Sequence, residues 1–265
     1  MPIFVHGPDV SAAWVQGLEA LLDVDGEAVN LTVAVDDPAT ELPGVRAEID
    51  AFIDERRRTK KGLQRISTVA NTIFPESLYV ERLGIDAEAH LYEMECRSRP
   101  VTRRRNSRGS YFERMVAWPG PNGQTFNQLD QAITRLRRLR EQGQQRGNQF
   151  EVGLATPADE AMAMPVAVPG RDRQTIGFPC LSHVSLSLQK GVVHMSALYR
   201  NHEFVERAYG NYVGLGRLLR FVARQSGWPM GELTCVSASV TLGSFSKRSL
   251  NDLLAACRDA GRLER

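Results

Sequence analysis

Cysteine is scarce in this chain, and where the cysteines stand excludes as much as their number. Four occur in 265 residues, Cys96, Cys180, Cys235 and Cys257, with no CxxC pair and no Cys/His ligand spacing. That excludes a disulfide-built secreted scaffold and gives no support to a metal site; it fits reduced thiols in a cytoplasmic protein. No apolar run approaches the ~20 residues that a membrane-spanning helix needs. Met1-Pro2-Ile3-Phe4 has neither the basic region nor the long apolar stretch of a signal peptide. Excess charge is missing too: 33 Lys and Arg stand against 31 Asp and Glu, a net +2, so a nucleic-acid partner is not expected. There are no internal repeats. Gly210, Gly214 and Gly216 lack the βαβ context of a nucleotide-binding glycine fingerprint.

What is present is enough apolar residue for a core, 42%, with 24% charged residues on a length that suits one domain over 1–265. Near the N-terminus, Val10 to Leu22 reads as a short helix and Val29 to Val35 as a strand. A helix from about Val45 to Arg58 places Ile49, Phe52 and Ile53 on one face. Its basic end, Arg56 to Lys61, is a solvated helix terminus favoured by the dipole, or else a phosphate site. Pro75-Glu76 reads as a helix start. Asp86 to Glu95 is a further helix, and Arg97 to Arg108 an exposed loop, either solvated surface or a lid that carries cations to an anionic ligand. Asn127 is placed to cap a helix with Leu129, Ile133, Leu136 and Leu139 at helical spacing. Gln149 to Ala155 reads as a strand and Thr156 to Thr175 as a long connection. Val205 to Ser226 is a helix whose three glycines point to close packing. Leu233 to Leu242 is a strand, and Ser249 to Gly261 closes the chain as an amphipathic helix.

The stretch Gly177-Phe178-Pro179-Cys180 and the hairpin after it draw the most attention. Val184, Leu186 and Leu188 alternate with serines, Gln189-Lys190-Gly191 turns, and Val193, Met195 and Ala197 lead back to Tyr199. A thiol after a proline at the mouth of such a sheet is either a nucleophile or a small buried hydrophobe. His183 and His202 lie near it in sequence, as packing or surface residues or, for His202, on a loop that enters a pocket.

Taken together, these segments resemble thymidylate synthase and its relatives, the pyrimidine hydroxymethylases. Tyr111 through Ala117-Trp118-Pro119 to the helix after Asn127 follows the family's Tyr...Ala-Trp-Pro...Asp-Gln pattern. Pro179-Cys180 matches its nucleophile motif, and the hairpin ending at Tyr199 its paired strands. Asn211 matches the base-reading Asn to within one gap, and Glu76-Ser77-Leu78-Tyr79 sits where the family has Glu-Leu-Leu-Trp. The likeness covers roughly residues 70–260; the first 65 residues diverge.

The resemblance implies an α/β (α+β) layered fold, a mixed β-sheet flanked by helices, and a homodimer with sheets back to back. It implies C5 chemistry on a pyrimidine, with Cys180 adding at C6, Asn211 holding the base edge, Glu76 relaying protons and Tyr111 helping to remove the C5 proton. Trp118, Tyr199, Asn201 and His202 are the further substrate-side candidates. The implied one-carbon donor is 5,10-methylenetetrahydrofolate.

The departures from the family are equally specific. Gly147-Asn148-Gln149-Phe150 lacks its Ser-Arg-Arg. Asn201 stands where an Arg is expected, and Leu181 where a His follows Pro-Cys. Ala238 to Gly243 replaces its Gly-Asp-x-His-x-Tyr, and the chain ends at Arg265 without the segment that closes over folate. A substrate other than ordinary dUMP is therefore expected, a pyrimidine nucleoside, nucleotide or related small molecule. Two alternatives stand beside this: folate-independent C5 chemistry through the same Cys, and a non-catalytic paralogue that binds a ligand or a protein.

Overall fold

The computed structural model describes residues 2–79, 87–105, 109–119, 124–146 and 179–263. Its contacts divide the chain into two compact units. The first comprises Met1–Ala70, Leu198–Gly216 and Glu232–Arg265; the second comprises Asn71–Ala197 and Arg217–Gly231.

The first unit starts with a strand that the sequence pattern does not announce. β1 (Ile3–Asp9) buries Val5 and Gly7 but turns Phe4 outward, 70% exposed, and ends in Gly7-Pro8. Asp9 then caps α1 (Val10–Asp23): its Oδ1 accepts from Ser11 N at 2.8 Å and Ala12 N at 2.9 Å, satisfying two of the amides a helix start leaves open. α1 returns the chain to β2 (Glu27–Asp37), which runs parallel to β1, with Val5 opposite Val33. α2 (Pro43–Arg56) follows, its Pro43 in the first turn, where a missing N–H costs nothing.

Several elements return to this unit later in the chain. β7 (His202–Glu203) runs parallel to β8 (Met230–Thr241), and β8 pairs antiparallel with β2. The sheet is therefore mixed, as expected. Leu31, Val33 and Val35 of β2 and Leu233 and Cys235 of β8 are buried on one face. α1 packs on that sheet, contributing Trp14 and Leu18, and α8 (Lys247–Gly261) packs on α1 and α2. Each such side chain contributes ~1.5–3 kcal/mol on burial. Trp14 stacks on Phe204 at 5.7 Å and meets Tyr209 edge-on at 5.9 Å. Phe204 opens a π-helical turn (Phe204–Ala208) that leads into α7 (Tyr209–Ser226). The close packing expected of the α7 glycines is found at Gly216, where a Cβ would lie 1.8 Å from the Pro38 carbonyl oxygen.

The second unit is built around helices and one hairpin. α3 (Ile66–Ile73) carries the chain into it and is followed by a 3-10 turn, Glu76–Leu78. α4 (Ala87–Arg105) corrects an expectation: the arginine-rich segment after Glu95 is helix, not loop, and runs through Pro100. Arg99 donates to the buried Glu95 and Arg103 to the buried Glu113, so these two cations are committed to internal carboxylates. α5 (Tyr111–Val116) is capped by Ser110, whose Oγ accepts from Glu113 N. Trp118 lies in β3 (Trp118–Pro119), paired with β4 (Thr125–Phe126). α6 (Gln128–Glu141) starts at the expected cap, Asn127 Oδ1 accepting from Asp130 N at 3.0 Å, and buries Leu129, Ile133, Leu136 and Leu139.

β5 (Leu181–Gln189) and β6 (Val192–Tyr199) form the expected hairpin. Lys190 (φ 49°) and Gly191 (φ 74°) are both left-handed, as the tight turn that matches strand twist requires. The apolar rows Val184, Leu186, Leu188 and Val193, Met195, Ala197 are all buried. The strand expected at Gln149 to Ala155 and the connection Thr156 to Thr175 lie outside the described residues.

Candidate functional site

In the second unit the structure brings Tyr111 to the residue that follows Cys180. Cys180 precedes β5 and is half-buried. Tyr111, the first residue of α5, accepts a hydrogen bond at its Oη from Leu181 N, 3.4 Å away. The phenol is thus held at the residue after the thiol, 70 positions on in sequence. An aromatic cluster fixes that end of α5: Phe112 meets Phe74 edge-on at 5.8 Å, and Phe74 packs on Phe221 of α7 at 5.0 Å.

The same cluster carries Glu76, two residues after Phe74. Its carboxylate is paired with two arginines of α7. Arg217 Nε lies 3.0 Å from Oε2, and Arg220 Nη2 donates to Oε1. Arg217 also reaches Asn71 Oδ1. Two guanidiniums converge on one carboxylate in a half-exposed setting, so the cluster keeps a net positive charge. Tyr79, the last residue of the family-like Glu-Ser-Leu-Tyr, accepts at Oη from Gln225 Nε2 at 3.0 Å and packs on Phe221 and His90. Trp118 is buried in its own hairpin. His183, on β5, is half-buried, and burial lowers its pKa.

In the first unit Tyr199, His202 and Asn211 come together. His202 is 1% exposed, a packed residue rather than a surface one, and lies in β7, where it pairs with Val240 of β8. Its ring stacks on Tyr199 at 4.2 Å with planes 3° apart and meets Tyr212 edge-on at 6.0 Å. Its Nδ1 is 2.9 Å from Ser237 Oγ and its Nε2 2.9 Å from Asn211 Nδ2. Burial pushes its pKa down to about 3, so the ring is neutral. Burial also raises the Tyr212 phenol and the Cys235 thiol. Asn201 does not join this group; it is exposed in the bend before β7.

Three participants were not anticipated. Arg217 and Arg220 are one turn apart on the polar side of the α7 period set by Leu215, Leu218, Leu219 and Val222, a spacing from which a joint partner was readable. Ser237 shares the inward parity of Leu233 and Cys235 on β8. Among the described residues no group of three or more His, Cys, Asp or Glu side chains is placed to hold a metal ion. Nor is any helix among them long and apolar enough to cross a membrane.

Comparison with known proteins places this arrangement in context. No family model matches the chain. A Methanosarcina acetivorans protein named "Putative thymidylate synthase" is 30% identical over 129 residues, which is 49% of this chain and 58% of that protein. One of the same name from Methanosarcina barkeri is 24% identical over 130 residues, 49% of this chain and 50% of that protein. One from Methanococcoides burtonii is 32% identical over 72 residues, 27% of this chain and 33% of that protein. The chain spans about half the length of the first two of these relatives, and the relationship to thymidylate synthase-like proteins is a distant one.

Proposed function

We propose that this chain is a thymidylate synthase-like transferase that modifies C5 of a pyrimidine other than ordinary dUMP, with Cys180 as nucleophile. The observation that supports this reading is that the Tyr111 phenol is held by the amide of Leu181, the residue that follows the half-buried Cys180 at the head of β5. The thiolate Sγ bonds to C6, and the electrons of the C5–C6 double bond move to the C4 carbonyl as an enolate. C5, now nucleophilic, takes an electrophile. Loss of the C5 proton, in which Tyr111 takes part, restores the double bond as Sγ leaves. Glu76 is assigned the proton relay at the carbonyl, positioned by Arg217 and Arg220.

5,10-Methylenetetrahydrofolate would supply the one-carbon unit. Its anionic tail calls for cations; Arg217 and Arg220 pair with the one carboxylate of Glu76 and keep one positive charge between them that would meet it. The same pairing favours a second reading, a binding protein on this fold that performs no chemistry.

On the face of the first unit's sheet opposite its core, Phe4 is 70% exposed. Thr32 and Val236, half-buried, lie in one cross-strand row with it. We assign that face to a second copy of the chain, in line with the family resemblance. A monomeric mass at micromolar concentration would remove this assignment.

C5 hydrogen exchange in D2O tests the chemistry, followed by mass spectrometry across pyrimidine bases, nucleosides and nucleotides without added folate. Exchange that disappears in Cys180→Ala is the expected result. No exchange with any compound, together with a Cys180 thiol inert to iodoacetamide at neutral pH, would leave the non-catalytic reading in its place.

A further inference from the structure

The buried chain around His202 has a direction that chemistry dictates. A carboxamide nitrogen only donates, so the 2.9 Å contact from Asn211 Nδ2 requires a lone pair on His202 Nε2. A neutral imidazole has one N–H, which is then on Nδ1 and donates to Ser237 Oγ at 2.9 Å. Polarity therefore runs from Asn211 to His202 to Ser237, and Asn211 Oδ1 takes no part in it. Turning the carboxamide over would require three changes together. The ring proton would move to Nε2, Ser237 would donate to Nδ1, and Oδ1 would face the ring. The groups that surround the imidazole hold its plane: Tyr199 of β6 beneath it and Tyr212 of α7 at its edge, with Cys235 of β8 beside Tyr212.

We propose that His202 is a positioning residue for Asn211. By accepting from Nδ2, it fixes the order in which the carboxamide presents its acceptor, Oδ1, and its remaining N–H donor. A uracil-type ring offers an N3–H donor beside an O4 acceptor; a cytosine-type ring offers an N3 acceptor beside an N4 donor. A carboxamide locked in one order matches one of these and opposes the other, so the His202–Ser237 pair acts as a specificity determinant. This last step rests on the reading of Asn211 as the residue that meets the pyrimidine edge; the ordering of the carboxamide does not.

NMR of the full chain, with ring-15N histidine and 15N asparagine, tests the ordering directly. His202 is expected to show a protonated Nδ1 and an unprotonated Nε2, with no titration near its ordinary pKa. The Asn211 carboxamide protons are expected to exchange with solvent on the order of tenfold faster in His202→Phe, which retains the stack on Tyr199. An Nε2–H tautomer, a ring that titrates in its ordinary range, or unchanged Asn211 exchange would each overturn the proposal.

Binding of deoxyuridine, deoxycytidine and their 5′-monophosphates then tests specificity. The wild type is expected to prefer one ring type by at least about tenfold, and His202→Phe to bring that ratio towards one. A preference that survives intact in the variant would overturn the specificity role. If the wild type binds none of the four, the specificity role falls, the wider exchange panel decides the pyrimidine reading, and the tautomer and exchange measurements still decide the ordering. Should His202→Phe not fold, Ser237→Ala removes only the acceptor of the Nδ1 proton and gives the same comparison with a smaller change.

Discussion

Tyr199, His202, Asn211, Tyr212, Cys235 and Ser237 in the first unit are all buried and neutral, and His202, Asn211 and Ser237 are joined by uncharged hydrogen bonds. Glu76, Arg217, Arg220, Tyr111 and Cys180 in the second unit are only partly buried, and the first three are ionic. The two cysteines make the contrast concrete. Burial pushes the Cys235 thiol up, out of reach of ionisation at neutral pH, so it packs as a small hydrophobe. Cys180 keeps contact with water at the head of a strand. A cysteine that must become a thiolate needs that contact, so surroundings rather than residue type separate the two roles. Asn211 and Glu76 differ in the same way. One is oriented by neutral partners that fix donor and acceptor, the other by cations that supply charge but impose less direction.

The sharpest break of this comparison is to exchange the two thiols' fates. Cys180→Ala is expected to reduce C5 hydrogen exchange by more than about 10³-fold, to background. Cys235→Ala is expected to leave the exchange rate unchanged. Equal loss in both would erase the distinction.

Next in size is the packing that holds the first unit. Trp14 is fully buried between Phe204 and Tyr209, and Trp14→Ala is expected to cost ~3–5 kcal/mol in urea unfolding.

His202 then ties stability to pH. Its pKa falls from 6.5 in the unfolded chain to about 3 in the folded protein, so between those values the unfolded chain binds the extra proton. The contribution of this residue is complete above its unfolded pKa. It falls by ~1.4 kcal/mol per pH unit as the pH drops through that window, and stops falling at the folded value. Urea midpoints measured from neutral pH downwards should show this slope in the wild type and a shallower one in His202→Phe. Parallel slopes would show that the ring charges inside the fold.

The smallest effect belongs to the ionic cluster. Arg220 and Glu76 are each about a third exposed, so solvent screens their attraction, and Arg220→Ala is expected to cost less than ~1 kcal/mol of stability. If Glu76 is the relay, the same variant lowers the C5 exchange rate well beyond that small change. A rate that stays at the wild-type level would reduce the cluster to a structural anchor.

Much of this was legible along the chain because the signals are local. Asn127 caps α6, as its place before a helical period predicts, and the serine alternation of β5 with the Gln189-Lys190-Gly191 turn yields the hairpin. β1 was not legible, since Phe4 points outward against the alternation and Gly7-Pro8 reads as a break. α4 was misread at Pro100. A proline inside a helix costs ~3 kcal/mol, and here Arg99 with Glu95 and Arg103 with the more distant Glu113 support the helix around it. That Tyr111 and Cys180 belong to one site was expected only through the family resemblance, and the contact found is from Tyr111 to the amide of Leu181. Nothing in the local pattern connects α5 to a strand 70 residues on.

Apart from β1 and α4, the periods of the main helices and strands, the Asn127 cap and the apolar rows of the hairpin follow from the chain alone, because they depend on neighbours within a turn or a hairpin. The tertiary structure decided which polar residues lost their water. Ser237, His202 and Asn211 form one neutral chain because β7, β8 and α7 bring them within hydrogen-bond reach, and Arg217 and Arg220 answer Glu76 from 141 and 144 positions away. Burial sets the charge of a side chain, and burial is a property of the packed whole rather than of any stretch of the chain.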